Sequence, residues 1–62
     1  MRMNTIKDDV RQALAKASLK QEFMLRFAFE EFMEVYNVSP TSKRLDKQLR
    51  EIQELIETIN QG

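Results

Sequence analysis

The chain has 62 residues, and its ten basic and ten acidic side chains give a net charge of zero. It contains no cysteine and no histidine, which excludes disulfides and thiolate metal sites and removes the commonest metal ligand and general base. This length supports one domain, residues 1–62. A domain this small is marginally stable unless it is cross-linked or associated. Because no cross-link is available, we expect association.

The composition predicts a folded helical protein outside the membrane. Hydrophobic residues make up 42% and charged residues 32% of the chain, with one glycine and one proline, a mixture typical of soluble helical domains. No apolar run approaches the roughly 20 residues of a membrane span, and the first residues lack the apolar segment of a signal peptide. We therefore expect a cytoplasmic protein without a membrane, cofactor or small-molecule substrate as partner.

Apolar residues in the first half of the chain recur at helical spacing. One stripe runs from Ile6 to Val35 with Gln21 as its main interruption, which predicts one helix over about residues 5–36. Thr5, with Asp8 three residues later, resembles the N-terminal cap of that helix.

A second helix start within this stripe is the alternative. Ser18 and Gln21 have the spacing of a capping box, which would begin a new helix near Leu19. However, the residues around Ser18 include no glycine, proline or asparagine to reverse the chain. The sequence therefore favours a continuous helix, allows a kink near residue 18, and leaves a three-helix bundle as the alternative.

The segment Asn37–Pro40 is the clearest break in the pattern. Asparagine tolerates the backbone that ends helices, and Ser39 followed by Pro40 fits a new helix start. The predicted second helix spans about residues 40–60. Its apolar residues are spaced four and three apart, as in a heptad seam: Leu45, Leu49, Ile52, Ile56 and Ile59.

Charge alternates along the chain in blocks. Residues 1–20 are net basic, 21–36 net acidic, 37–50 net basic and 51–62 net acidic. Folding at Val38–Ser39 would place opposite charges across two antiparallel helices, with Lys43 facing Glu34, Lys47 facing Glu30, Glu51 facing Arg26 and Glu57 facing Lys20. Such pairs select an arrangement more than they stabilise it. The prediction is an all-α antiparallel helical hairpin.

This hairpin would leave one end of the long helix uncovered. Asn60 would reach only about Ala17, so four apolar residues would lack a partner: Ile6, Val10, Ala13 and Leu14. A large apolar side chain left in water forgoes roughly 1.5–3 kcal/mol. We therefore expect these four residues to form an oligomer interface, giving a homodimeric four-helix bundle.

The segment Glu22–Tyr36 holds all four phenylalanines. Within the long stripe, Met24, Ala28, Phe32 and Val35 are predicted to point inward, whereas Phe23 and Phe27 fall among charged residues. Exposed aromatic pairs are typical of protein-binding hot spots. The candidate partner-binding residues are Phe23, Phe27, Phe29 and Met33. The alternative is that these aromatics are buried within a homo-oligomer.

A basic cluster at the start of the last predicted helix supports a second hypothesis. Lys43, Arg44, Lys47 and Arg50 lie where backbone N–H groups favour anions, which would suit a nucleic-acid backbone. The alternative is that they pair with nearby glutamates, which makes nucleic acid an unlikely partner. The glutamates lack the histidine that bundle metal sites use, so we expect neither a metal nor a catalytic residue.

Together these patterns predict a non-enzymatic small regulatory or adaptor protein. It would act through protein–protein contacts of its helix faces, as a homo-oligomer and with a protein partner whose identity the sequence does not give. The alternative function is a small DNA-binding transcriptional regulator that uses the basic cluster.

Overall fold

The computed structural model describes residues 3–62, and the side chains from Thr5 onward. It contains three helices: α1 (Met3–Lys16), α2 (Leu19–Val38) and α3 (Arg44–Gln61). No strand occurs within residues 3–62, and each helix contacts the other two. The all-α prediction is confirmed, with three helices in place of two. The predicted lack of a signal peptide rests partly on Met1 and Arg2, which lie outside the described residues.

The chain breaks at Ser18, where the sequence favours a continuous or kinked helix over about residues 5–36 and leaves a new helix start near Leu19 as the alternative. Ser18 has extended backbone, with φ −67° and ψ 166°. Its Oγ accepts a hydrogen bond from the Gln21 N–H at 3.3 Å, and its own N–H donates to Gln21 Oε1 at 3.0 Å. This reciprocal capping box satisfies backbone groups at the new helix start. The chain can thus change direction without glycine or proline. The continuous-helix prediction is wrong, and the alternative, a helix that starts at Leu19 after a Ser18–Gln21 capping box, is the one observed.

The break lets α1 pack against the other two helices. Ile6 and Val10 are each 5% exposed and Ala13 is 1% exposed in the single chain, and the half-buried Leu14 packs against them. The predicted overhang therefore does not exist. Since its own chain already covers these four residues, the reason for assigning them to an oligomer interface is removed.

The connection between α2 and α3 also differs from the prediction. The Ser39 N–H donates to the Val35 carbonyl at 2.7 Å, so Ser39 ends α2 and does not begin a helix. A turn follows, in which the Ser42 N–H donates to the Ser39 carbonyl at 3.0 Å. Pro40 occupies the second position of this turn, where its fixed φ is favourable. The Ser42 hydroxyl then accepts from the Arg44 N–H at 3.2 Å, and α3 begins there.

The start of the first helix also lies elsewhere than predicted. α1 already includes Met3, so Thr5 is inside the helix and does not cap it. The Thr5–Asp8 spacing matched the cap pattern only in sequence.

The core lies where the three helices meet. Leu25, Phe32 and Ile52 have no exposed surface. The predicted seam of α3 faces this core: Leu45, Ile52 and Ile59 are buried, and Leu49 and Ile56 are half-buried against it, as is Leu55 beside the seam. The heptad spacing therefore predicted the inward face of α3 correctly.

The inward face of α2 was predicted only in part. Phe32 is buried, and Ala28 and Val35 pack against the core, but Met24 is 47% exposed while its neighbour Leu25 is fully buried. The stripe in the sequence continues from α1 through Ser18, but a new helix starts there. A restart changes the rotation of α2 about its axis relative to α1, so residue spacing across the break does not predict a common face.

We expect Ser18→Ala to destabilise the fold by about 1 kcal/mol, because the Gln21 N–H loses its Oγ acceptor, whereas the backbone N–H of residue 18 still has Gln21 Oε1 as its acceptor. The measurement is urea unfolding followed by circular dichroism. Ser18→Asp, which keeps an acceptor at the cap, should cost much less. Equal stability of the Ala variant and the wild type would contradict a structural role for the cap.

We expect Leu25→Ala to cost about 2–5 kcal/mol, because a fully buried side chain leaves a cavity. In a domain this small, that loss should largely unfold the chain. Met24→Ala, one residue away on an exposed side of α2, is the control and should change stability by about 0.5 kcal/mol or less. Equal effects in thermal unfolding would contradict the rotation of α2 described above.

Candidate protein-binding surface

The side of α2 that is turned away from the core carries large apolar side chains. Leu19 is 69%, Phe23 62% and Phe27 68% exposed. They are spaced four residues apart, so they form one ridge along the helix. At 3.6 residues per turn, this ridge lies roughly opposite Leu25 and Phe32. We call these three residues the outer face of α2; Met24 lies at its edge.

The outer face is uncovered because α1 and α3 both pack on the opposite side of α2. A Phe side chain buries about 150–250 Å² when it is enclosed, so each of the two phenylalanines leaves on the order of 100 Å² or more in water. With Leu19 added, the ridge approaches the few hundred Å² at which apolar patches of monomers are often functional. Its arrangement suits contact with another macromolecule.

Charged residues flank the outer face unequally. Lys20 is exposed at the N-terminal end of the ridge, and Glu30, Glu31 and Glu34 are exposed beyond Phe27. The ridge therefore has a basic end and an acidic end.

The predicted ion pairs between helices do not form within residues 5–62. The one salt bridge found there joins Arg26 to Glu22 within α2, at 3.9 Å. The four expected pairs are absent: Lys43–Glu34, Lys47–Glu30, Glu51–Arg26 and Glu57–Lys20. Exposed pairs contribute only about 0–1 kcal/mol. This is less than the free energy gained by burying core side chains, so the core sets the alignment of the helices.

The four predicted partner-binding residues fall into two groups. Phe23 and Phe27 lie together on the outer face, as the sequence indicated. Phe29 and Met33 are half-buried against the core instead, and the Phe29 ring stacks on Phe32 with centroids 6.4 Å apart and an interplanar angle of 18°. Leu19 was missed. Its spacing of four from Phe23 would have identified it if the helix had been started at Ser18.

The basic cluster is exposed but is not a separate positive surface. Arg44 and Lys47 line a shallow depression together with Glu31, Gln48 and Glu51, and Arg44 also borders a second depression beside Glu34. The Gln48 Oε1 atom is buried without a hydrogen-bond partner. Carboxylates from both α2 and α3 thus surround these cations and reduce their attraction for a polyanion.

Two kinds of feature are absent from the described part of the chain. No group of three acidic, histidine or cysteine side chains there could hold a metal ion. Within residues 3–62, none of the helices combines the length and the apolar character that a membrane crossing requires.

In comparisons with protein-family models, with curated proteins and with solved structures, nothing matches this chain.

We expect the chain to bind mixed-sequence duplex DNA weakly at most, because Glu31, Glu34 and Glu51 lie among the basic residues. The measurement is a fluorescence titration at about 50 mM and 200 mM salt, where true backbone binding should fall steeply with salt. Tight binding at low salt that is lost in Lys43→Gln/Lys47→Gln would contradict this prediction and support the DNA-binding alternative.

Proposed function

We propose that this chain is a non-enzymatic small regulatory or adaptor protein, and that the outer face of α2 is the surface through which it contacts another protein chain. One observation carries the proposal. Two phenylalanines and a leucine stand more than 60% exposed on a single ridge of a helix whose opposite side fills the core.

The chemistry of the ridge favours a protein partner over other ligands. The ridge is convex and apolar, whereas small-molecule sites are concave, and it presents no cluster of cations to a nucleic acid. Aromatic residues surrounded by charged residues are typical of binding hot spots. Apolar anchors at positions i, i+4 and i+8 are the pattern by which one helix packs against another helix or a groove.

We further propose that α2 and α3 form the antiparallel hairpin expected from the sequence and support this ridge from behind. Ala28 shares a surface depression with Leu55 and Thr58, near the end of α3. Val35 shares another with Ser42 and Arg44, at the start of α3. Earlier residues of α2 thus lie beside later residues of α3, which supports the proposed antiparallel hairpin.

The test is affinity capture with a tagged chain, compared between the wild type and the variant Phe23→Gln/Phe27→Gln. Glutamine is a good helix former, so this variant should keep the wild-type circular dichroism spectrum. We expect it to lose, by tenfold or more, at least one protein that the wild type retains, counting untagged copies of the same chain as well as host proteins. Quantitative mass spectrometry provides the readout.

Val38→Gln is the matched control. It removes another exposed apolar side chain of α2, 84% exposed, at the far end from Leu19, and it should leave capture unchanged. If the folded double variant captures the same proteins in the same amounts as the wild type, the outer face is not the contact surface and the proposal fails.

A further inference from the structure

We infer that the outer face of α2 is covered by the same face of a second copy, with the two α2 helices antiparallel about a two-fold axis. This inference rests on the proposed function, because it names the partner of the same surface. It also moves self-association away from the residues at which the sequence placed it. Of these, Ile6, Val10 and Ala13 lie in the core of the single chain and Leu14 packs against it.

The apolar part of the ridge is self-complementary. A two-fold axis requires each patch to meet its own copy with the residue order reversed. Phe23 and Phe27 are similarly exposed, and we place the two-fold axis midway between them, so that Leu19 lies at the outer end of the contact. In the antiparallel arrangement, Phe23 of each copy lies nearest to Phe27 of the other, so all four rings share one cluster. Such aromatic contacts add to the gain from burying their area.

The charges at the two ends of the ridge select the direction of the second copy. The antiparallel arrangement brings Lys20 of each copy towards the acidic end of the other, at Glu30 and Glu31, and forms this contact twice. A parallel arrangement would instead bring the acidic ends together and the two Lys20 side chains together. Like charges placed opposite each other are unfavourable and exclude wrong arrangements. Charge complementarity therefore favours a second copy in one orientation.

The size of the surface sets the strength of the association. One helix face buries less than a standard interface, and it belongs with contacts of under about 1,200 Å² in total. The dimer should accordingly dissociate on dilution in the micromolar range. A small domain with few fully buried residues gains stability from this association as its concentration rises.

The first test is sedimentation equilibrium of the untagged full chain between about 10 µM and 1 mM. In this range, a dimer with an interface this small should be in equilibrium with its monomer. We expect the mass to rise from one copy to two. Phe23→Gln/Phe27→Gln should remain monomeric with an unchanged circular dichroism spectrum. A wild-type monomer at every concentration overturns the inference, as does a dimer that the double variant leaves intact.

Charge exchange tests the orientation. Lys20→Glu should raise the dissociation constant of the dimer about tenfold or more at low salt, because it places an acidic side chain opposite Glu30 and Glu31 of the other copy. The triple variant Lys20→Glu/Glu30→Lys/Glu31→Lys should restore it, because the opposite signs face each other again. Lys7→Glu, which makes the same charge change at an exposed position of α1, should have no effect. A parallel dimer would respond differently, since neither variant would turn its like-charge contacts into opposite ones.

The two proposals fail separately. If Lys20→Glu leaves the dimer unchanged, or if the triple variant does not restore it, the antiparallel second copy is overturned. If the chain is monomeric and yet a host protein is captured through Phe23 and Phe27, the outer face is a contact surface for a different protein: the proposed function stands and the second copy does not.

Discussion

The two hydrogen bonds between Ser18 and Gln21 are the local constraint on which the rest of the structure depends. They begin α2 within an apolar stripe whose main interruption in the sequence is Gln21. Because of this break, α1 lies against α2 and α3, and Ile6, Val10 and Ala13 enter the core. A capping box contributes only about 1 kcal/mol. Without a break at this point, however, the chain would form one long helix with an uncovered end in place of the compact arrangement.

The same break determines which surface of the chain remains apolar. α2 is hydrophobic on more than one side, but only the side that carries Leu25 and Phe32 is buried against the other helices. With α1 and α3 packed around Leu25 and Phe32, the side carrying Phe23 and Phe27 is left in water. A continuous first helix would have exposed the start of α1 instead. The location of the uncovered surface, and with it the proposed contact, thus follows from the direction that the chain takes after Lys16.

Charge has a different role from the one that its blocks in the sequence indicated. The alternating blocks predicted ion pairs between helices, but the salt bridge found among the described side chains lies within α2, between Glu22 and Arg26. Burial of large side chains such as Phe32 and Ile52 sets the alignment of helices, because each contributes more than an exposed pair. Charges at the ends of an apolar ridge can still select between two orientations of a partner.

Periodicity within one uninterrupted helix was enough to determine part of this protein. The all-α class, the inward seam of α3 and the outward position of Phe23 and Phe27 followed from residue spacing, which fixes directions relative to a single axis. Only the tertiary structure decided the break at Ser18, the end of α2 at Ser39, and the burial of Leu25 in place of Met24. In the sequence, a serine such as Ser18 or Ser39 is compatible with either the start or the end of a helix. The packing of α1 against α2 and α3 decides between these two roles.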